Sequence, residues 1–188
     1  MSKKFSRLMQ AMRRRIWLGL PLGLFVFVGF IVFAVGGFQT MMHVTNQNEF
    51  CYACHVGMDT IVEEYQASPH FVSDDEVHAT CADCHVPIDF VGKIVTKTKA
   101  SADIYYMLIG TINMENFESE RLRLAEHVWH EMEANDSQAC RNCHNEEQNF
   151  DLAKQPARAR TNHQKMDALE STCIDCHYGI AHKRPTEL

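Results

Sequence analysis

From Ile16 to Phe38 the chain reads "IWLGLPLGLFVFVGFIVFAVGGF", 23 residues without a charge. As a helix this stretch spans about 34 Å at ~1.5 Å per residue, enough to cross the core of a bilayer. The apolar region of a cleavable signal peptide is shorter, about 7–15 residues, and no small-residue cleavage site follows here. The pattern predicts an uncleaved anchor over 16–38, with Pro21 near its start, where a helix tolerates proline best. A different pattern occupies 91–110, "VGKIVTKTKASADIYYMLIG". Val91, Ile94, Val95, Ala102, Tyr105 and Ile109 fall at roughly helical spacing, with Lys93 and Lys97 on the other side. Such a basic amphipathic helix suits the boundary between lipid headgroups and water. Asp103 interrupts the apolar stripe, and a carboxylate beside an apolar face takes up a proton more readily. A second helix is predicted over 117–135, with Phe117, Leu124, Val128 and Met132 inward and Arg121, Glu126 and Glu131 outward. No strand pattern stands out. The part beyond the anchor is predicted to be mainly α with extensive loops.

Charge divides the chain at the same place. Lys3, Lys4, Arg7, Arg13, Arg14 and Arg15 give the first 15 residues +6, and no acidic residue offsets them. The whole chain carries −6 and 16–38 is uncharged, so 39–188 carry −12. Basic residues flanking a span stay on the cytoplasmic side. That orientation predicts a cytoplasmic N-terminus over 1–15, a single-pass anchor over 16–38, and a domain over 39–188 on the periplasmic side of a bacterial inner membrane. So acidic a domain lacks the basic footprint that nucleic acid requires.

An oxidising compartment makes the cysteines conspicuous. There are eight, paired as Cys51/Cys54, Cys81/Cys84, Cys140/Cys143 and Cys173/Cys176, every pair C-x-x-C and every pair followed at once by His55, His85, His144 or His177. Zinc and disulfides both use cysteine pairs, but neither needs histidine immediately after the second cysteine. Attachment of haem c does: two thiols add to the vinyl groups and the adjacent imidazole ligates iron. Histidine makes up 11 of 188 residues, so four such coincidences have a chance of about one in 10⁵. The chain is predicted to hold four covalent haems c, which take the place of much of a conventional core. The motifs are also paired along the chain. Cys51 and Cys81 are 30 residues apart and Cys140 and Cys173 are 33 apart, with 59 between the middle two, as in a tetrahaem domain built from two dihaem modules.

An electron-carrying haem iron generally takes two protein ligands. His70 lies 11 residues before Cys81 and His163 lies 10 before Cys173, equivalent places in the two halves. His182 follows the last motif in "CHYGIAH". These three are the candidate distal ligands, ahead of His43, His78, His127 and His130. Met58, three residues after His55, is a candidate for the first iron, either in place of His55 or from the opposite face. Lys97 and Asp103 are the candidate catalytic pair for a membrane quinol, whose oxidation releases protons as well as electrons.

The chain resembles the NapC/NirT family of membrane-anchored tetrahaem c-type cytochromes, and most closely its periplasmic nitrate reductase branch. The likeness is carried by "CYACHVGM", "SPHF", "CADCHVP", "KTKASADIYY", "NDSQACRNCHN" and "CIDCHYGIAHKRP", together with the basic N-terminus and single anchor. It implies oxidation of menaquinol or ubiquinol from the membrane quinol pool and delivery of electrons to a periplasmic reductase or its dihaem cytochrome subunit. It also implies that the first haem lies nearest the membrane lipid with Met58 at its iron, and that Lys97 and Asp103 form the quinol site. His70, His163 and His182 match the family's additional ligands.

Overall fold

The structure, a computed structural model, describes residues 2–13, 15–17, 20–54, 58–72, 78–145 and 150–185. It divides into two compact units, Met1–Asn46 and Gln47–Leu188.

In the first unit, helix α1 (Ser2–Met12) leads through a short antiparallel hairpin into helix α2 (Leu22–Val44). The hairpin, β1 (Arg15–Trp17) and β2 (Leu20–Pro21), occupies residues where the hydrophobic pattern predicts helix. Pro21 is the physical reason. Its φ of −72° and ψ of 143° are extended, and its ring cannot sit inside a helix without clashing with the preceding turn. The helix therefore starts at Leu22, six residues later than the expected span, and ends six residues beyond it. At the far end the Thr40 hydroxyl donates to the Gly36 carbonyl at 2.8 Å, and Thr45 closes the helix by donating to Met41 at 2.8 Å. None of the 23 side chains of α2 is buried, and the helix is long and apolar enough to cross a membrane.

The second unit is helical. It contains α3 (Asn48–Cys54), α4 (Met58–Gln66), α5 (Cys81–His85), α6 (Phe90–Leu108), α7 (Phe117–Ala134), α8 (Gln138–Arg141), α9 (Ala157–His163) and α10 (Cys173–Cys176). The four C-x-x-C pairs lie on or at the end of the short helices α3, α5, α8 and α10. Among the described residues the buried apolar side chains are Tyr65, Ala82 and Ile174, and the latter two sit inside the second and fourth motifs. A domain of this length ordinarily buries far more. Covalent haem at the four motifs would take the place of much of that core.

The two longer helices form where the pattern places them, and one residue, Arg121, departs from its expected face. Asp89 caps α6 by accepting from the Gly92 amide at 2.8 Å, and Gly110, at φ 74°, follows its last turn. Its half-buried residues are Gly92, Lys93, Ile94, Thr96 and Lys97, while Val91, Val95, Tyr105 and Ile109 are exposed. The lysine side thus faces the protein and most of the apolar stripe faces out. Spacing tells which residues share a face, not what that face meets. On α7, Phe117, Leu124, Val128 and Met132 are half-buried, as expected. Arg121 is not outward: it is buried, paired with Glu64 of α4. A guanidinium can be buried when a carboxylate and a carbonyl satisfy it, and pattern alone does not reveal such partners.

Candidate haem-binding site

The motif helices are neighbours in chain order. The Cys51 and Cys81 thiols are hydrogen-bonded, and burial, followed by the nearby Cys51, pushes the Cys81 thiol up to about 11. Cys84 is also pushed up to about 11, by burial and then by Cys140, with Cys143 contributing. Burial again raises Cys140, whose next influence is its hydrogen-bonded neighbour Cys173. The first motif therefore adjoins the second, the second the third, and the third the fourth. None of the described cysteines is in a disulfide.

Polar caps hold this file together. Asn48, three residues before Cys51, accepts from the Cys81 amide at 2.9 Å and donates to the Tyr65 hydroxyl at 3.1 Å; Tyr65 in turn donates to the Ala79 carbonyl at 2.6 Å. Ser137, three residues before Cys140 and fully buried, accepts from the Ile174 amide at 3.1 Å. Each leading motif thus carries, three positions upstream, a side chain that caps the helix of the motif after it. Asp83 accepts from the Thr80 amide at 2.7 Å and Asp175 from the Thr172 amide at 2.5 Å, so the second and fourth motif helices start alike.

Three histidine pairs lie along the file among the described residues. His70 and His144 have ring centroids 6.1 Å apart, His85 and His182 6.3 Å, and His163 and His177 6.0 Å. A metal held between two imidazoles needs bonds of about 2 Å on each side, which with the depth of two rings separates the centroids by roughly 6 Å. The Nδ1 atoms of His70 and His182 are buried and make no hydrogen bond of normal geometry. Burial lowers the pKa of both, chiefly by desolvation, with backbone at Ile180 and Ile61 opposing in part. Neutral imidazole is the form that ligates metal. His163 Nδ1 meets Gln155 Oε1, which leaves its other nitrogen for the His177 side. Among the described residues no three histidines, cysteines or acids converge as a zinc site would require. Paired imidazoles beside paired thiols fit haem c.

The remaining histidines stand elsewhere. His127 and His130 are 70% and 81% exposed on α7, near Glu131 and Glu133. His78 is exposed and tilted against Phe71, and His43 lies in α2. His55 lies outside the described residues, as do the side chains of Cys54, Met58 and Asp103. Lys97 is half-buried, its pKa lowered first by desolvation; Cys51 of the first motif is close enough to oppose that shift. Beside the same motif, a cleft of about 300 Å³ is lined by Tyr52, Asp59, Val62 and Glu63. Burial pushes the Tyr52 hydroxyl up to about 12, so it stays a donor.

The model of the NapC/NirT cytochrome c family, N-terminal region, matches residues 13–187. The chain belongs to the NapC/NirT cytochrome c family. It is 46% identical over 169 residues to the cytochrome c-type protein NapC of Escherichia coli K12, covering 88% of this chain and 84% of that protein. A putative tetraheme cytochrome-c type protein of Allochromatium vinosum is also 46% identical, over 89% of this chain and 90% of its own. The denitrification system component NirT of Stutzerimonas stutzeri is 42% identical over 93% of this chain and 88% of that protein. No solved structure matches. This NapC/NirT member is a membrane-anchored c-type cytochrome of electron transfer, with covalently bound haem c.

Sequence reasoning did not find Asn48, Ser137, Gln155 or Glu64, and it placed Arg121 outward. Asn48 and Ser137 did leave a signal, a capping side chain three residues before a cysteine pair. Glu64 and Arg121 left none, because they meet only in the folded chain.

Proposed function

We propose that this cytochrome is a quinol dehydrogenase, oxidising menaquinol or ubiquinol and relaying electrons along its four haems to a periplasmic reductase. The observation that carries this reading is the unbroken file of motif helices α3, α5, α8 and α10, flanked by imidazole pairs and with Lys97 beside its first member. The six basic residues ahead of the apolar span support a cytoplasmic N-terminus and a periplasmic outer unit.

The cysteine pairs would attach the haems. His85 with His182, His144 with His70, and His177 with His163 would supply their axial nitrogens; His55 and Met58 are the ligands offered to the first. The spacing and shared capping of the motifs support two dihaem modules. When bound, haem c supplies a one-electron redox centre at each motif. The chain's own residues do the rest. Lys97 holds a quinol oxygen, and Asp103, about 9 Å along α6 by helical rise, takes up a released proton. The outward apolar stripe of α6 meets lipid, where quinol resides. Similarity to a denitrification component supports a recipient in nitrogen-oxide respiration, and the resemblance of motifs favours a nitrate reductase through its dihaem subunit.

The test is reduction of the purified, detergent-extracted protein by a quinol analogue. Direct reduction is expected, with Asp103→Asn slowing it by about 10²–10⁴-fold. Reduction that occurs only when a second cytochrome is added would mean an anchored wire without its own quinol site.

A further inference from the structure

We propose that Glu64 and Arg121 are positioning residues that hold His182 opposite His85. This rests on the ligand reading above. Glu64 stands on α4, Arg121 on α7 and His182 on the segment after the fourth motif, so three distant parts of the chain meet here. The clamp holds Lys183 by its backbone. Its amide donates to Glu64 Oε2 at 2.8 Å, and its carbonyl accepts from Arg121 Nη2 at 2.9 Å. Arg121 Nη2 also donates to Glu64 Oε2, which closes a ring of hydrogen bonds. The amide concerned belongs to the peptide group that directly follows His182. Fixing it fixes the backbone from which the imidazole projects.

The approach to that point is shaped separately. Gly179 bends the segment at φ 73°, and a Cβ there would lie 3.1 Å from the His182 carbonyl oxygen. Tyr178 packs edge-on against Trp129 at 4.8 Å and lies under Arg184 at 5.1 Å. These contacts bring the tail back towards α7. The clamp sets where it stops.

A purely stabilising role explains the pair poorly. Glu64 and Arg121 side chains are 7% and 10% exposed, and a buried ion pair is often no more stabilising than apolar residues of the same volume. What apolar residues cannot do is bind both backbone groups of Lys183 in fixed directions. The arrangement places two buried charges on the two successive peptide groups that follow one imidazole, and so keeps that ligand in register.

The experiment uses the full-length, haem-loaded protein. Carbon monoxide binding by the ferrous form reports any haem whose distal ligand has become displaceable, and midpoint potentials are measured alongside. His182→Ala serves as reference and is expected to add one carbon-monoxide-reactive haem per chain above wild type. Glu64→Gln, and the volume-filling double variant Glu64→Leu/Arg121→Leu, are expected to add a substantial part of one such haem at unchanged haem content. Arg121→Lys, which keeps the charge but loses the fork, is expected to fall between them and wild type. Clamp variants with full haem content, no added reactivity and unaltered potentials would overturn the proposal. If Glu64→Gln fails to mature, Arg121→Lys decides by the same readout. If His182→Ala itself adds no reactive haem, the ligand reading has failed rather than the clamp.

Discussion

Residues 47–85 and 137–177 start their motif helices alike and supply their histidines differently. In both, a polar side chain three positions before the leading cysteine pair caps the next motif, Asn48 on Cys81 and Ser137 on Ile174. In both, an aspartate inside the trailing motif accepts from a threonine amide just before it. The imidazole pairs do not respect the division. The fourth motif's His177 faces His163 from its own half, whereas His144 faces His70 from the first half and His85 faces His182 from beyond the second. Local capping repeats along the chain; the histidine pairing interlocks the repeats. Two of the three described imidazole pairs cross the division, so the two halves are expected to fold and load as one unit.

His70→Ala tests the interlock most directly. It should add one carbon-monoxide-reactive haem per chain, although His70 precedes the second motif. The added reactivity should vanish when Cys140 and Cys143 are also replaced by alanine, and should persist if the second motif is the one disabled. The opposite result would assign His70 to its own half and break the comparison.

Glu64→Leu comes next. It removes the buried carboxylate partner of a buried guanidinium and leaves it the half-exposed Glu118 at 3.5 Å, at a cost of about 3 kcal/mol in thermal or denaturant unfolding. Smaller effects sharpen the likeness of the caps. Asn48→Ala removes two hydrogen bonds and Ser137→Ala removes one, so the expected losses are about 2 and about 1 kcal/mol, in that order. The smallest difference lies at the threonines. Thr80 Oγ1 accepts from the Asp83 amide at 3.3 Å and donates to Asp83 Oδ2 at 2.7 Å, while Thr172 Oγ1 is buried without a hydrogen bond. Thr80→Val should cost about 1 kcal/mol and Thr172→Val about nothing. Equal losses would show that the fourth motif's cap is completed after all.

Much of the local structure was open to reading from the order of residues. The anchor, α6 and α7 announce themselves by hydrophobic spacing, and the haem motifs by four repeats of one short signature. The apolar stripe of α6 faces out with Lys93 and Lys97 half-buried on the other side, the arrangement that the reading of a helix at a lipid boundary expects. What spacing misjudged was the setting of a single charged residue. Arg121 reads as a surface residue of an amphipathic helix until Glu64 and Lys183 arrive from elsewhere in the chain. Pro21 delayed the anchor helix by a mechanism legible in advance, but the hairpin ahead of it was not.

By itself, then, the sequence determined the chemistry available: which thiols, which imidazoles, which charges, and a span able to hold them at a membrane. Those properties belong to residue types and to short spacings that survive any folding. Tertiary structure alone decided which imidazole faces which, in what order the motifs adjoin, and that Glu64 and Arg121 close on the peptide after His182. Such pairings join residues far apart in the chain, and their distances are set by how helices pack and cap one another, which no local pattern encodes.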